Sequence, residues 1–191
     1  TNMIPLDRYP KEVVLRDGTH VTFRPMVRED VEPLWDFFRR IPLEDKMFFR
    51  EDVDRREEVE RWVQSLDYGT VLPILAFSEG RVVGDATLHR NRTGWKQRVG
   101  TVRILIAQDF RHRGLGTVMI RELRHLGEKA SLHYLLAEVI EDQQTAIRAF
   151  EKLGFERMVV YRNYVNDQKG RLHNLVVLLY PMSDSDDELF Y

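Results

Sequence analysis

Hydrophobic residues recur along the chain with two different spacings, and the spacing separates predicted strands from predicted helices. Alternating or continuous apolar runs predict strands over 19–25, 71–77, 81–89, 99–106, 132–140, 155–165 and 172–180. Apolar residues spaced three and four apart predict helices between Asp30 and Pro42 and over 54–66, 114–129 and 143–153. The order βααβββαβαββ combines an antiparallel meander with helical crossovers. It predicts one α/β (α+β) domain with a mixed, mostly antiparallel sheet flanked by helices.

The two ends of the chain lack this regular pattern. Residues 1–17 are mixed in composition and carry two prolines, so we interpret them as an N-terminal extension. Residues 183–191 are acidic, and we expect a disordered tail. The folded domain is therefore predicted over 18–182. Within it, Pro73 interrupts an apolar strand and favours a place at a sheet edge or at a bulge.

Composition excludes several classes of protein and site. A net charge of −2, from 29 basic and 31 acidic residues, argues against a nucleic-acid partner. The chain has no cysteine, which excludes disulfides, thiolate metal sites and a cysteine nucleophile. No cluster of His, Asp and Glu has metal-ligand spacing, so we expect no metal. There is no membrane-spanning run or signal-peptide pattern, and we expect a cytoplasmic protein.

The most informative segment is residues 103–117, where a strand leads into a basic, glycine-containing turn that opens a helix. A helix N-terminus presents unpaired N–H groups and the positive end of the helix dipole, which suits a pyrophosphate. Gly114 and Gly116 would let the backbone approach the phosphates closely. The alternative is that both glycines only make a tight turn. Neither a P-loop nor a full dinucleotide fingerprint is present, which disfavours a nucleotide-binding domain.

Two motifs resemble the GNAT acyltransferase superfamily. Arg111, Gly114 and Gly116 match its coenzyme A signature, Arg/Gln-x-x-Gly-x-Gly/Ala. The run Ala-Ile-Arg-Ala-Phe-Glu-Lys-Leu-Gly-Phe over 146–155 is similar to the later helix of that superfamily. The resemblance implies a fold in which the strands on either side of the signature helix splay apart. It also implies acetyl-CoA as the acyl donor and a primary amine as the acceptor.

By the same resemblance, the pantetheine arm lies in the gap between the splayed strands and the pyrophosphate meets the turn. The implied cofactor-binding residues are Ile104, Leu105, Ile106, Arg111, His112, Arg113, Gly114, Leu115, Gly116, Thr117, Gln143 and Phe150. The first three would act through their backbone groups, and the N–H of Ile106 would serve as an oxyanion donor. Without cysteine, direct attack in a ternary complex is favoured over a covalent intermediate.

Acyl transfer to an amine needs a proton acceptor, and Glu138 is the leading candidate. It resembles the glutamate base of the ribosomal-protein alanine N-acetyltransferases, which also lies in a Glu-Val pair. The alternative is an exposed surface carboxylate. Asp85 and His89, on a neighbouring predicted strand, are lesser candidates. Thr101 stands near the place where some family members carry an acid.

A second function stays open, that of a catalytically weak module that binds or senses acyl-CoA. It is favoured by the missing acid and by Phe150, which stands where the alanine N-acetyltransferases have a tyrosine acid. The acceptor could be a small molecule, a protein lysine or a protein N-terminus, and the protein could form a homodimer. The acidic residues Glu44, Asp45, Glu51 and Asp52 could attract a cation, although a solvated loop is the simpler interpretation.

Overall fold

The computed structural model describes residues 3–46 and 53–182. Eight strands form one sheet in the order β1-β2-β3-β4-β5-β6-β8-β7. They are β1 (Lys11–Val14), β2 (His20–Pro25), β3 (Val71–Ser78), β4 (Arg81–Arg90), β5 (Val99–Ile106), β6 (Tyr134–Ile140), β7 (Glu156–Asn166) and β8 (Leu172–Pro181). The helices are α1 (Val31–Arg40), α2 (Leu43–Lys46), α3 (Arg56–Gln64), α4 (Leu115–Lys129) and α5 (Gln144–Lys152). The mixed, mostly antiparallel sheet is confirmed, because β5 and β6 form its one parallel pair among the described residues.

Helices cover both faces of the sheet, as the apolar patterns require. The predicted apolar side of α1 is buried at Leu34, Phe37 and Phe38. On the opposite face α4 packs so closely that a Cβ on Gly84 of β4 would lie 2.7 Å from the sulfur of Met119. Because both faces of β3 and β4 are covered, these strands are apolar and almost fully buried.

The two central strands part where the resemblance predicted a splay. β5 and β6 pair only from Val99 with Tyr134 to Thr101 with Leu136. Beyond these residues β5 continues along β4, and β6 continues along β8. The gap between them therefore opens at their C-terminal ends, immediately before the turn that leads to α4.

The first strand lies inside the segment that sequence patterns set apart as an extension. Lys11–Val14 pairs with β2 as an edge strand. The segment is also tied to α4, because Tyr9 donates a hydrogen bond of 2.7 Å to Glu122. The predicted tail over 183–191 lies outside the described residues, as do Glu51 and Asp52.

The expected edge position of Pro73 is wrong, since β3 lies between β2 and β4. Its carbonyl accepts from the N–H of Met26, which is the residue after β2 ends. The N–H and C=O of a strand residue point to the same side, so the missing N–H of Pro73 faces a place where β2 has already stopped. The bulge occurs further along, between Ala76 and Phe77.

Candidate active site

A cavity of about 800 Å³ lies on the α1 and α3 face of the sheet, beside the splay. Its floor is formed by β4, β5 and β6, and its walls by α1, α3 and the turn between β7 and β8. Seven of the candidate site residues line it, namely Asp85, His89, Ile104, Leu105, Glu138, Gln143 and Phe150. The splay therefore lies between this cavity and the turn that leads into α4.

Strand register brings the candidate carboxylates to this one cavity. Asp85 pairs with Leu105 across β4 and β5, so their side chains share a face. Thr101 lies four residues before Leu105 on β5 and therefore on the same face, and it pairs with Leu136 of β6. Glu138 lies two residues after Leu136 and so also shares this face. The structure thus places Asp85 and Glu138 on the floor of the same cavity.

Glu138 is an exposed residue that opens onto the cavity. Among the residues that the structure describes, its carboxylate makes no hydrogen bond and no ion pair. An exposed carboxylate without a partner can accept a proton from a bound amine, directly or through water. Its role as the base stays a prediction.

Asp85 sits in a different environment on the floor of the same cavity. It is only 8% exposed, and Thr87 donates a hydrogen bond of 2.9 Å to its carboxylate. Burial raises the pKa of Asp85 to about 6, against a smaller lowering by Thr87. The side chain is therefore a second candidate for proton transfer near neutral pH.

Backbone direction decides which residues of β5 face the splay. The carbonyl of Arg98 accepts from His133 at the start of β6, whereas the N–H of Ala107 donates to Val83 beside β4. Because successive strand residues point their backbone groups to opposite sides, Ile104 and Ile106 direct theirs into the gap. The backbone of Leu105 faces β4 instead, and its side chain lines the cavity.

The turn from β5 to α4 forms the predicted cradle, which we define as residues 111–117. The N–H groups of 112–117 donate to no group within the part of the chain that the structure describes. Gly114 caps α4 with a φ of +87°, a left-handed conformation that favours glycine. A row of unsatisfied N–H groups at a helix start is the arrangement that binds a phosphate. The residues present therefore fit a pyrophosphate.

The two arginines of the cradle are held by the protein. Arg111 pairs with Asp45 of α2 at 2.5 Å and donates to the carbonyl of Ile106 at 3.4 Å. Arg113 pairs with Asp17 at 2.7 Å, and its guanidinium lies 4.2 Å from the ring centre of Phe110. Both arginines are predicted from the sequence as cofactor-binding residues, and in the structure both form ion pairs within the protein.

The last two predicted cofactor residues lie at the start and inside α5. Gln143 precedes the first turn, and its backbone carbonyl accepts from Ile147 at 3.2 Å. Its side chain makes no hydrogen bond to a described residue. Phe150 is buried against Phe155, with ring centres 5.0 Å apart. A phenyl ring offers the departing thiolate no proton, as expected.

One cluster at the cavity rim was not predicted as a unit. The ring nitrogens of His173 lie 3.2 Å from a carboxylate oxygen of Asp142 and 3.0 Å from one of Asp167. The bond to Asp167 is the main cause of the raised pKa of His173, and the same bond lowers the pKa of Asp167 to about 2. The cluster ties the β7–β8 turn to the connection between β6 and α5. The predicted strands over 155–165 and 172–180 leave residues 166–170 as a connecting turn. The contact between Asp142 and His173, which follows this turn, is long-range, so no local sequence pattern predicts it.

Across residues 3–46 and 53–182, no three or more His, Asp or Glu side chains gather as a metal site would require. No helix in the same ranges has the length and hydropathy needed to cross a bilayer.

The model of the Acetyltransferase (GNAT) family matches residues 34–155, which span the cavity floor, the splay and the cradle. The chain belongs to the GNAT family. The resemblance found in the two sequence motifs is thereby confirmed.

Individual relatives agree with this family. The [Ribosomal protein bS18]-alanine N-acetyltransferase of Escherichia coli K12 is 30% identical over 80 residues, which are 42% of this chain and 53% of that enzyme. The chain thus spans about half the length of this curated relative. The fold matches the ribosomal-protein-S5-alanine acetyltransferase of Vibrio fischeri at a TM-score of 0.78 and 15% identity, over 91% of this chain and all of that one.

A second solved structure is the yncA protein of Salmonella typhimurium, determined with its cofactor acetyl-CoA. It matches at a TM-score of 0.73 and 14% identity, over 86% of this chain and 95% of that one. Likeness at this identity supports the fold alone.

Proposed function

We propose that this GNAT protein transfers an acetyl group from acetyl-CoA to a primary amine by direct attack in a ternary complex. The observation that carries the proposal is the cradle, whose N–H groups over 112–117 have no partner among the described residues. It stands at the mouth of a splay between β5 and β6 that opens onto the cavity. Such donors are costly to leave unpaired unless water or a ligand satisfies them, and an anionic cofactor does so best.

Each part of the site would have one task. The cofactor, when bound, supplies an activated thioester. The cradle would bind its pyrophosphate, and the inward backbone groups of Ile104 and Ile106 would align its pantetheine arm. The N–H of Ile106 would donate to the oxyanion. Glu138 would accept the proton of the attacking amine, directly or through water.

The acceptor is proposed only as a primary amine, because the site restricts it no further. Two relatives are named as alanine acetyltransferases of ribosomal proteins, which supports a protein acceptor as one candidate. A protein N-terminus, a protein lysine and a small molecule are all retained. The cavity of about 800 Å³ has room for any of these side chains or termini.

A catalytically weak acyl-CoA-binding module is the second candidate. The observation that favours it is Phe150, which fills the place of a proton donor with a buried ring. The exposed carboxylate of Glu138 favours the transferase instead, because it is available to accept a proton from a bound amine.

Two measurements test the proposal. A ligand at 100 times its Kd adds about 2.7 kcal/mol of stability, which raises the Tm of a chain this size by roughly 5–10 °C. We expect this shift with coenzyme A and acetyl-CoA, and much less with ATP or NAD. A folded protein whose Tm is unmoved by millimolar coenzyme A would refute the cofactor assignment.

Release of free coenzyme A thiol from acetyl-CoA, measured over a panel of amines and N-terminal peptides, then separates the two candidates. Amine-dependent release supports the transferase. Tight binding of acetyl-CoA without release on any acceptor class would favour the binding module.

A further inference from the structure

The turn between β1 and β2 lies against the cradle, although the two are far apart in sequence. Arg113 of the cradle donates to Asp17 at 2.7 Å and to the hydroxyl of Thr19 at 2.5 Å. Hydrogen bonds from Thr19 and Arg113 lower the pKa of Asp17 to about 2, so this carboxylate stays charged at neutral pH. The turn is thereby anchored to the cradle at its middle, through Asp17, and at its end, through Thr19.

This anchoring places the side chain of Arg16 over the helix cap. A methyl carbon built on Gly114 would lie 3.3 Å from Nε of Arg16 and 3.5 Å from its Nη2. The guanidinium therefore occupies the space directly above the residue that opens α4.

The charges around the cradle are not equivalent. Arg111 is paired with Asp45, and Arg113 is paired with Asp17. Arg16 is exposed and makes no hydrogen bond or ion pair with any residue that the structure describes. It is the arginine of this group whose charge is left for a ligand.

We propose that Arg16 is a further phosphate-binding residue of this site and donates to the pyrophosphate of coenzyme A above Gly114. The proposal rests on the proposed function, since it assumes that the cradle binds this cofactor. A planar guanidinium matches phosphate oxygens with paired N–H donors, which a row of backbone N–H groups complements from below. Arg113 then acts as a positioning residue that holds the turn, and Arg16 makes the contact.

The test compares the Kd of coenzyme A for wild type, Arg16→Ala and Arg16→Lys by calorimetry. Loss of one charge-assisted hydrogen bond at an exposed site should raise the Kd about tenfold in Arg16→Ala. Arg16→Lys keeps the charge but not the fork and should fall between the two. The increase should shrink at high salt, because exposed charges are screened.

The matched control is Arg162→Ala, which removes an exposed arginine from β7 at the opposite edge of the sheet. Its Kd should equal that of wild type. Dephospho-coenzyme A keeps the pyrophosphate but lacks the 3′-phosphate, so Arg16→Ala should weaken its binding by the same factor.

The outcomes separate the inference from the proposed function. If wild type fails to bind coenzyme A, the proposed function and this inference both fail. If wild type binds and Arg16→Ala binds equally well, the inference alone is overturned. A penalty that disappears with dephospho-coenzyme A would also overturn it, because Arg16 would then contact the 3′-phosphate.

Discussion

Glu122 and Glu138 are carboxylates of neighbouring elements, α4 and β6, with opposite surroundings. Glu122 is 3% exposed and accepts hydrogen bonds from Tyr9 at 2.7 Å and Lys11 at 2.9 Å, with Arg8 in an ion pair at 3.2 Å. Glu138 is exposed and has no such partner among the described residues. The first carboxylate is satisfied by the fold itself, whereas the second is available to whatever enters the cavity.

The segments that lead into α1 and α4 differ in a related way, although neither helix has a side-chain cap on its own N–H groups. Before α1, Asp30 accepts the N–H of Val27 and two hydrogen bonds of 2.8 Å from Arg24. Before α4, no side chain within residues 3–46 and 53–182 caps the N–H groups over 112–117. A buried donor without a partner costs free energy, whereas a donor that faces water stays available to a ligand. In both comparisons the group that holds the fold is paired within the protein, whereas Glu138 and the N–H groups of the cradle have no partner among the described residues.

The largest expected effect is that of Glu138→Gln, which tests whether the exposed carboxylate is the base. The amide keeps the shape of the side chain but cannot accept the proton, so we expect the transfer rate to fall about 10²–10⁴-fold. The Kd of coenzyme A should stay unchanged, because the cradle is a separate group of residues. Steady-state pH profiles of both proteins on one acceptor provide the measurement.

A mutant that keeps more than about half of the wild-type rate across the pH range would place the base elsewhere. Asp85→Asn would then be assayed on the same acceptor. The control for folding is the Tm, which Glu138→Gln should leave unchanged because the carboxylate has no partner to lose.

Glu122→Ala should give the opposite result, a loss of stability without a loss of binding. Removing the buried carboxylate leaves Tyr9, Lys11 and Arg8 without their acceptor, and breaking a buried pair of this kind costs about 3 kcal/mol. Urea denaturation measures the change, and calorimetry with coenzyme A should return the wild-type Kd. Unchanged stability would show that the N-terminal segment is not held by this cluster.

Sequence patterns located what is local and missed what joins distant segments. The cradle could be predicted because its glycines, its basic residues and the helix start lie within a few positions of each other. The pairing of Tyr9 with Glu122 joins residues 113 positions apart, and that of Asp17 with Arg113 joins residues 96 apart. No spacing rule links such residues, so β1, the buried cluster and the place of Arg16 could not be predicted. Glu138 was predicted from the family resemblance and Asp85 from its place on a neighbouring predicted strand, but only the sheet register shows that the two share a cavity.

Gly114→Val tests the cradle against the rest of the fold. A side chain above the cap would displace the guanidinium of Arg16 and block N–H contacts with the pyrophosphate, so the Kd of coenzyme A should rise about 100-fold. The substitution also forces a β-branched residue to a φ of +87°, which costs stability by itself.

Gly94→Val separates these two effects. Gly94 has a φ of +90°, open space around its Cβ position and a place in the β4–β5 loop, at the other end of β5 from the cradle. It should lose similar stability and bind coenzyme A as wild type does. Equal loss of affinity in both variants would assign the effect to backbone strain.

The smallest expected effect concerns Asp85, whose surroundings are intermediate between those of Glu122 and Glu138. It is buried in the cavity and accepts one hydrogen bond, from Thr87. Its pKa is about 6 in the folded protein and about 4 in an unfolded chain. The folded state therefore binds this proton more strongly, so the group's contribution to stability is full below pH 4 and is lost as the pH rises to about 6. We expect the free energy of unfolding of wild type, relative to Asp85→Asn, to fall by about 2–3 kcal/mol over this range.

Urea denaturation of both proteins at a series of pH values measures this fall. Thr87→Val should move it to higher pH, because the hydrogen bond from Thr87 favours the carboxylate. Parallel pH curves for wild type and Asp85→Asn would mean that Asp85 ionises as an exposed residue does, and that the cavity floor holds two available carboxylates rather than one.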